Sequence, residues 1–205
     1  MDSLHNIKKY LLLLFIITIC TLSACTEKNE VNLNENRESH DEGGESVLTD
    51  DMINESYQKA VEAYSWFDAT TMPVDYSDRK ELYGFEYYKV THDTIKSCAD
   101  LKSYLQTLFS DDIVEKLLAG DGSIIRYRDI DGALYAIPAD RGSDITKGKE
   151  TYEIVRESDT KILYKVFVEI YDDPVSQNVT GTEEHDFQYE CINGRWVFTN
   201  FELVR

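Results

Sequence analysis

Phe187-Gln188-Tyr189-Glu190-Cys191-Ile192-Asn193-Gly194-Arg195-Trp196-Val197-Phe198 is the stretch that decides the fold. Asn-Gly between two alternating runs is a strong signal for a two-residue hairpin, because both central residues of that turn need positive φ. Such a loop at Asn193-Gly194 sets Cys191 opposite Trp196, Glu190 opposite Val197 and Tyr189 opposite Phe198. Alternation gives the register a second time: Phe187, Tyr189 and Cys191 share one face, and Asp186, Gln188 and Glu190 the other. With both signals in agreement, the aromatic face is the one that turns toward the helices.

Upstream, further runs of period two predict strands near residues 150–157 and 161–171, with the hairpin strands at 185–192 and 195–203. Ile124 to Tyr127 and Ala133 to Ile137 flank Asp129-Ile130-Asp131-Gly132, a tight-turn signal for an earlier hairpin. Gly84 to Val90 is a short aromatic strand. Before and between these lie three helical patterns. One covers roughly 51–66, with Tyr57, Ala60, Val61 and Tyr64 at helical spacing. The second starts at the Ser97-Cys98-Ala99-Asp100 capping box and carries Cys98, Leu101, Leu105 and Leu108 on one face to about Phe109. The third follows Ser110-Asp111-Asp112, carries Ile113, Val114, Leu117 and Leu118, and ends at Gly120. No internal repeat is present. Helices followed by a run of antiparallel strands predict an α+β domain over residues 51–205, its N-terminal helices packed on one curved antiparallel sheet. That arrangement resembles cystatin-like or NTF2-like domains.

The N-terminal segment has a different character. Lys8 and Lys9 precede an apolar run from Tyr10 to Leu22, too short for a spanning helix of about 20 residues, which closes on Leu22-Ser23-Ala24-Cys25. Residues 1–24 therefore read as a cleaved secretion signal, and Leu22-Ser23-Ala24-Cys25 resembles the lipobox of bacterial lipoproteins. That resemblance implies diacylglyceryl transfer to the Cys25 thiol, attachment to a bilayer and an extracytoplasmic location on the cell membrane. Two or more acyl chains anchor stably where one holds only marginally. From Thr26 to about Asp50 the chain is rich in Asn, Glu, Ser and Gly, which predicts an acidic disordered tether over 25–50.

The chain of 205 residues carries 21 Lys+Arg and 39 Asp+Glu, a formal charge of −18. Loss of Asp2, Lys8 and Lys9 with the signal makes the remainder more acidic still, which excludes nucleic acid as a partner and would draw in a basic protein, the alternative being an acidic surface that only maintains solubility outside the cell. Cys20 lies in the discarded segment and Cys25 is the anchor, leaving Cys98 and Cys191, whose pairing the sequence leaves open. No Cys-x-x-Cys or Cys/His cluster suggests zinc, and Asp129, Asp131 and Gly132 lack the downstream glutamate of a calcium loop. Neither a metal nor a cofactor is expected. Asn178-Val179-Thr180 matches a glycosylation sequon but reads as a polar loop tip.

Cys98 at a helix start, with His185 as base, is the one arrangement that suggests a cysteine hydrolase. Its place on the apolar face with Leu101, Leu105 and Leu108 predicts instead a buried, inert thiol, and no catalytic residue is assigned. Binding is better sought in two long connections. Pro138 to Gly148 contains Asp140, Arg141 and Asp144, and Asp172 to Glu184 contains Asp173 and Pro174; these five residues are the partner-contact candidates. A pocket for a small ligand, lined by Tyr87, Trp196 and Phe198, is the alternative.

Ile95-Lys96-Ser97, Leu101-Lys102-Ser103-Tyr104-Leu105 and Phe109-Ser110-Asp111-Asp112, followed by Tyr127-Arg128-Asp129-Ile130-Asp131-Gly132-Ala133-Leu134-Tyr135, resemble exported proteins of the IseA family. The resemblance covers roughly residues 80–205. IseA-type proteins inhibit D,L-endopeptidases, the NlpC/P60 cysteine hydrolases that cut wall peptides during cell separation. It implies a non-catalytic domain that restrains a cell-wall peptidase by inserting a loop into its cleft. The lipobox departs from the family pattern, whose members are secreted without an anchor.

Overall fold

The structure is a computed structural model that describes residues 48–120, 122 and 124–205. Leu22 to Cys25, the signal segment and the tether up to residue 47 lie outside the described residues. Helix α1 (Asp50–Asp68) opens the domain slightly earlier than expected, because Thr49 caps it: the Thr49 hydroxyl accepts from the Met52 N–H at 3.3 Å, and Asp50 and Asp51 sit in the positive first turn. Its buried stripe is Ile53, Tyr57, Ala60, Ala63 and Trp66, spaced by three or four residues. Strands β1 (Val74–Leu82) and β2 (Phe85–Val90) follow as a hairpin, then α2 (Cys98–Gln106) and α3 (Asp111–Ala119). The Ser97 hydroxyl accepts from the Asp100 N–H at 3.1 Å, and Asp100 reaches back to the Lys96 N–H at 3.0 Å, the reciprocal contact of a capping box moved by one residue. Gly120 ends α3 at φ +67, where a Cβ would lie 2.3 Å from the Ile124 carbonyl oxygen, so no other residue fits.

Strands β3 (Tyr127–Ile130), β4 (Ala133–Ala136), β5 (Lys147–Ser158), β6 (Lys161–Tyr171), β7 (Val179–Ile192) and β8 (Arg195–Phe198) complete an α+β domain with antiparallel sheet. The eight strands form two four-stranded sheets, β1-β2-β4-β3 and β5-β6-β7-β8, where a single curved sheet was expected. Strand β1, which was not anticipated, pairs with one edge of β2 while β4 takes the other, so the early strands form a sheet of their own. Helix α1, about 28 Å long at 1.5 Å per residue, serves both. Its first half sets Tyr57 against Tyr164 and Phe187 of the second sheet, while Phe67 packs edge-on against Tyr127 of the first and the Trp66 carbonyl accepts from the Tyr127 hydroxyl at 3.1 Å.

The decisive hairpin has the register derived above: Tyr189 pairs with Phe198, Glu190 with Val197 and Cys191 with Trp196, about a turn with Asn193 at φ 53 and Gly194 at φ 78. Asp131-Gly132 makes the same turn between β3 and β4, so the earlier hairpin begins at Tyr127 rather than Ile124. Strand β8 stops at Phe198, short of residue 203. Beyond it the chain bends to drive Phe201 into the aromatic core beside Phe109, Phe187 and Phe198. A parallel bridge joins Phe198 to Phe109, with Ser110 N–H to the Phe198 carbonyl and Phe198 N–H to the Leu108 carbonyl both at 2.9 Å, so the link between α2 and α3 extends the second sheet.

The largest correction concerns Asp172 to Glu184. Strand β7 begins at Val179, opposite Tyr171, and after an irregularity at Thr180 runs in one register with β6 from Gly181 opposite Ile170 to Glu190 opposite Lys161. Only residues 172–178 form a connection. Val-Thr-Gly-Thr-Glu-Glu over 179–184 does not alternate, so it carries no periodic sign of a strand; pairing with β6 makes it one. Thr180 of the sequon lies in that strand.

Candidate functional site

The connection before β5 and the connection between β6 and β7 meet at one end of the second sheet. Together they line a cleft of about 630 Å³ with Ser143, Asp144, Ile145, Pro174 and Gln177 from the two connections. Lys147, Gly148 and Lys149 of β5, Tyr171 of β6 and Arg205 complete it. Two of the five residues expected to contact a partner, Asp144 and Pro174, are thereby brought together. Asp140 lies elsewhere, on a cleft of about 450 Å³ that it lines with Thr70 to Val74, Tyr76, Pro138 and Ala139.

Both connections are braced by their own polar groups. Asp140 accepts from the Gly142 N–H at 2.8 Å. Arg141 donates through its guanidinium to Asp68 at 2.6 Å and through its backbone to the Ala69 carbonyl at 2.8 Å, tying the connection to the end of α1. Asp144 accepts from the Thr146 N–H at 3.0 Å and hydroxyl at 2.7 Å, and these bonds hold its carboxyl below the usual carboxylate range. In the second connection Asp173 accepts from the Val175 and Ser176 N–H groups at 2.8 and 2.9 Å and from the Ser176 hydroxyl, which also donates to Asp172. The Ser176 hydroxyl is the main cause that lowers both carboxyls. Four of the five candidates thus use their side chains to shape the loops; Pro174 is the one that faces the cleft without a polar duty.

Sequence reasoning missed the other wall. Lys147-Gly148-Lys149 is the readable trace, a pair of lysines about a glycine in an acidic chain. Gly148 lies against the end of the Tyr171 ring: a Cβ there would lie 2.4 Å from Tyr171 Cζ, so the ring would have to shift. Behind the cleft, Lys147 pairs with Glu183, and the Arg205 guanidinium reaches Glu150 at 2.8 Å and the Gly148 carbonyl at 3.0 Å. Glu183 also stands 3.1 Å from His185 Nε2, while His185 Nδ1 faces Glu202 at 2.8 Å.

Cys98 is half-buried against the core, and its nearest polar neighbour is Asp129, which accepts from the Cys98 N–H at 2.8 Å. Burial first, and the Asp129 charge second, push the thiol up to about 11. His185 Nδ1 is engaged by Glu202 and its buried Nε2, near Glu183, has no hydrogen-bond partner among the described residues, so the thiol and the imidazole considered as its base have separate neighbours. Cys98 and Cys191 are both free thiols. Asp129 and Asp131 of the supposed calcium turn are engaged by the Cys98 N–H and by Lys80 at 2.9 Å. Among the described residues no cluster of three or more His, Cys, Asp or Glu has metal-binding geometry.

The three aromatics of the alternative pocket are not brought together. Tyr87 is buried in the first sheet, its hydroxyl donating to the Ile125 carbonyl at 2.9 Å, while Trp196 stacks on Tyr189 and Phe198 is sealed in the core of the second sheet. No family model matches the chain, and no curated protein matches it.

Proposed function

We propose that this chain is a membrane-anchored extracytoplasmic lipoprotein whose acidic domain is a non-catalytic binding module that restrains a cell-wall D,L-endopeptidase of the NlpC/P60 type. The anchor rests on the Leu22-Ser23-Ala24-Cys25 box. The choice of partner rests on the resemblance of residues 80–205 to IseA-type inhibitors. What most supports a binding role is the bracing of two adjacent connections by Asp140, Arg141, Asp144, Asp172 and Asp173. Loops held in shape before an encounter lose less conformational entropy on docking, and binding surfaces benefit from that more than from bulk area. A thiol with its proton held to about pH 11 makes a poor nucleophile at neutral pH, which favours binding over hydrolysis at Cys98.

The test combines the full-length chain, purified in neutral detergent, with an NlpC/P60 enzyme and a labelled wall peptide. Slowed cleavage is expected, and weaker slowing when Ser176→Ala and Thr146→Ala release the braces. Undiminished cleavage at micromolar excess removes the peptidase reading. Fractionation of cells carrying Cys25→Ser tests the anchor separately, and retention of that variant in the membrane would remove it.

A further inference from the structure

Acids outnumber bases 39 to 21 in this chain, yet the cleft between the two connections has three cations on its lining, Lys147, Lys149 and Arg205, and one acid, Asp144. The cations divide into two kinds. Lys147 has only 15% of its side chain exposed and is held by Glu183; Arg205 is held by Glu150, itself 14% exposed, and by the Gly148 carbonyl. These two are fixed from behind and already matched in charge. Lys149 is different: its backbone N–H donates to Glu169 at 3.2 Å, while its exposed ammonium has no carboxylate partner among the described residues. The acid on the lining is engaged by both donors of Thr146.

Beside the uncharged polar residues Ser143 and Gln177, the rest of the lining is apolar or aromatic. Tyr171 is set in place by the absence of a side chain at Gly148, Ile145 stands 68% exposed on the rim, and Pro174 faces it from the other connection. A volume of about 630 Å³ falls within the range of small-molecule sites, about 300–1,000 Å³, and far exceeds what a bare ion fills. One unmatched ammonium suits one negative charge better than two, so a carboxylate fits and a phosphate dianion would leave charge uncompensated.

We propose that this cleft is a binding site for a small carboxylate-bearing molecule with an apolar body. The carboxylate meets the Lys149 ammonium, and the body lies against Tyr171, Ile145 and Pro174. The site stands independently of the peptidase reading, since it needs only the cleft and its lining.

Titration calorimetry on the full-length chain in neutral detergent, with three probes, tests it. The probes are N-acetyl-phenylalanine, its uncharged amide and inorganic phosphate. The acid is expected to bind at least about tenfold more tightly than the amide, the scale of one charge-assisted hydrogen bond. Lys149→Gln should reduce the acid to the level of the amide, and Lys149→Arg should stay within about threefold of the parent. Lys149 is exposed, so neither variant threatens folding. Absence of binding by the acid at millimolar concentration overturns the proposal, as does equal binding of acid and amide or an unchanged affinity in Lys149→Gln. Phosphate binding as tightly as the acid would also overturn it, by showing a site for a bare anion.

Discussion

Replacing Tyr57 with Phe should stabilise the domain, and replacing its neighbour Tyr164 with Phe should destabilise it. The two rings stack with centroids 4.6 Å apart at 27° and are both fully buried, so each substitution removes one hydroxyl from nearly the same apolar setting. Their hydroxyls differ. Tyr164 donates to Asn54 Oδ1 at 2.9 Å, whereas the Tyr57 hydroxyl has no hydrogen-bond partner among the described residues. Burial, followed by the nearby Glu150 charge, pushes Tyr57 far above the ordinary tyrosine value, the signature of a hydroxyl cut off from solvent. A buried polar group left unpaired costs about 1–3 kcal/mol, and a made hydrogen bond contributes about 1 kcal/mol. Tyr57→Phe should therefore gain about 1 kcal/mol, while Tyr164→Phe loses about as much. For a domain of this size that is a Tm change of roughly 2–4 °C in opposite directions. Urea melts of the compact unit Ser46–Arg205 give both values against the parent, and an unchanged m-value confirms that the denatured state is not the cause. A loss of 1 kcal/mol or more in Tyr57→Phe would refute the reasoning, because it would mean that the hydroxyl has a partner on which the fold depends.

Cys98, pushed up to about 11, is about 1% thiolate at pH 9, where an ordinary thiol is about half ionised, so its alkylation should run roughly fiftyfold slower than that of a free cysteine and rise with an inflection near pH 11. The unfolded chain releases this proton from about pH 9 while the folded chain keeps it. Stability is therefore unaffected by this group below pH 9 and falls as pH climbs toward 11; a melting temperature that is flat or rising there contradicts the assignment. Gly148→Ala puts a methyl against Tyr171 and should cost about 1–2 kcal/mol, part of which Tyr171→Ala restores in the double variant; additive losses in a thermal melt would show that the two do not meet. Asp172 and Asp173 are held below the usual carboxylate range, so their bracing is present above that range and lost as pH falls through the lowered values. The Val175 and Ser176 amide resonances should move only in that acid window, and should move at ordinary carboxylate pH in Ser176→Ala.

How far the sequence was legible depended on whether one face of an element is buried. Around Asn193-Gly194 a slip of one residue would carry Tyr189 and Phe198 into solvent, so turn chemistry and alternation had to agree, and the pairing follows them residue for residue. The α1 stripe was legible for the same reason at Tyr57 and Ala60, whereas Val61 and Tyr64 are half-buried beside it and Ile53, Ala63 and Trp66 complete it. Strand β1 reads Val-Asp-Tyr-Ser-Asp-Arg-Lys-Glu-Leu, with an irregular register between Asp75 and Arg79 and no fully buried residue, so there was no periodicity to find. Residues 179–184 were hidden in the same way. That these edge and end segments are strands is set by pairing with a neighbouring strand rather than by their own pattern, Phe85 to Val90 in one case and Phe167 to Tyr171 in the other.

The candidate site was harder to read because its chemistry is divided between loops and a strand. Acidic residues drew attention to the loops, but Asp140, Asp144, Asp172 and Asp173 are there to accept hydrogen bonds from backbone N–H and hydroxyl groups nearby. In a chain with 39 acids, the count of carboxylates says little about where a ligand sits. What distinguishes the cleft is a departure from that background: three cations converge on it, two of them already matched, and a glycine clears the space for an aromatic wall. Lys147 and Lys149 flank Gly148 on β5, where the register with β6 is irregular between Lys147 and Glu150, and all three residues line the one cleft. Gly148 leaves room for Tyr171 while its carbonyl holds Arg205, so one residue without a side chain joins the cationic and aromatic halves of the site. That is why Gly148→Ala should disturb ligand binding and packing together, whereas Lys149→Gln should disturb binding alone.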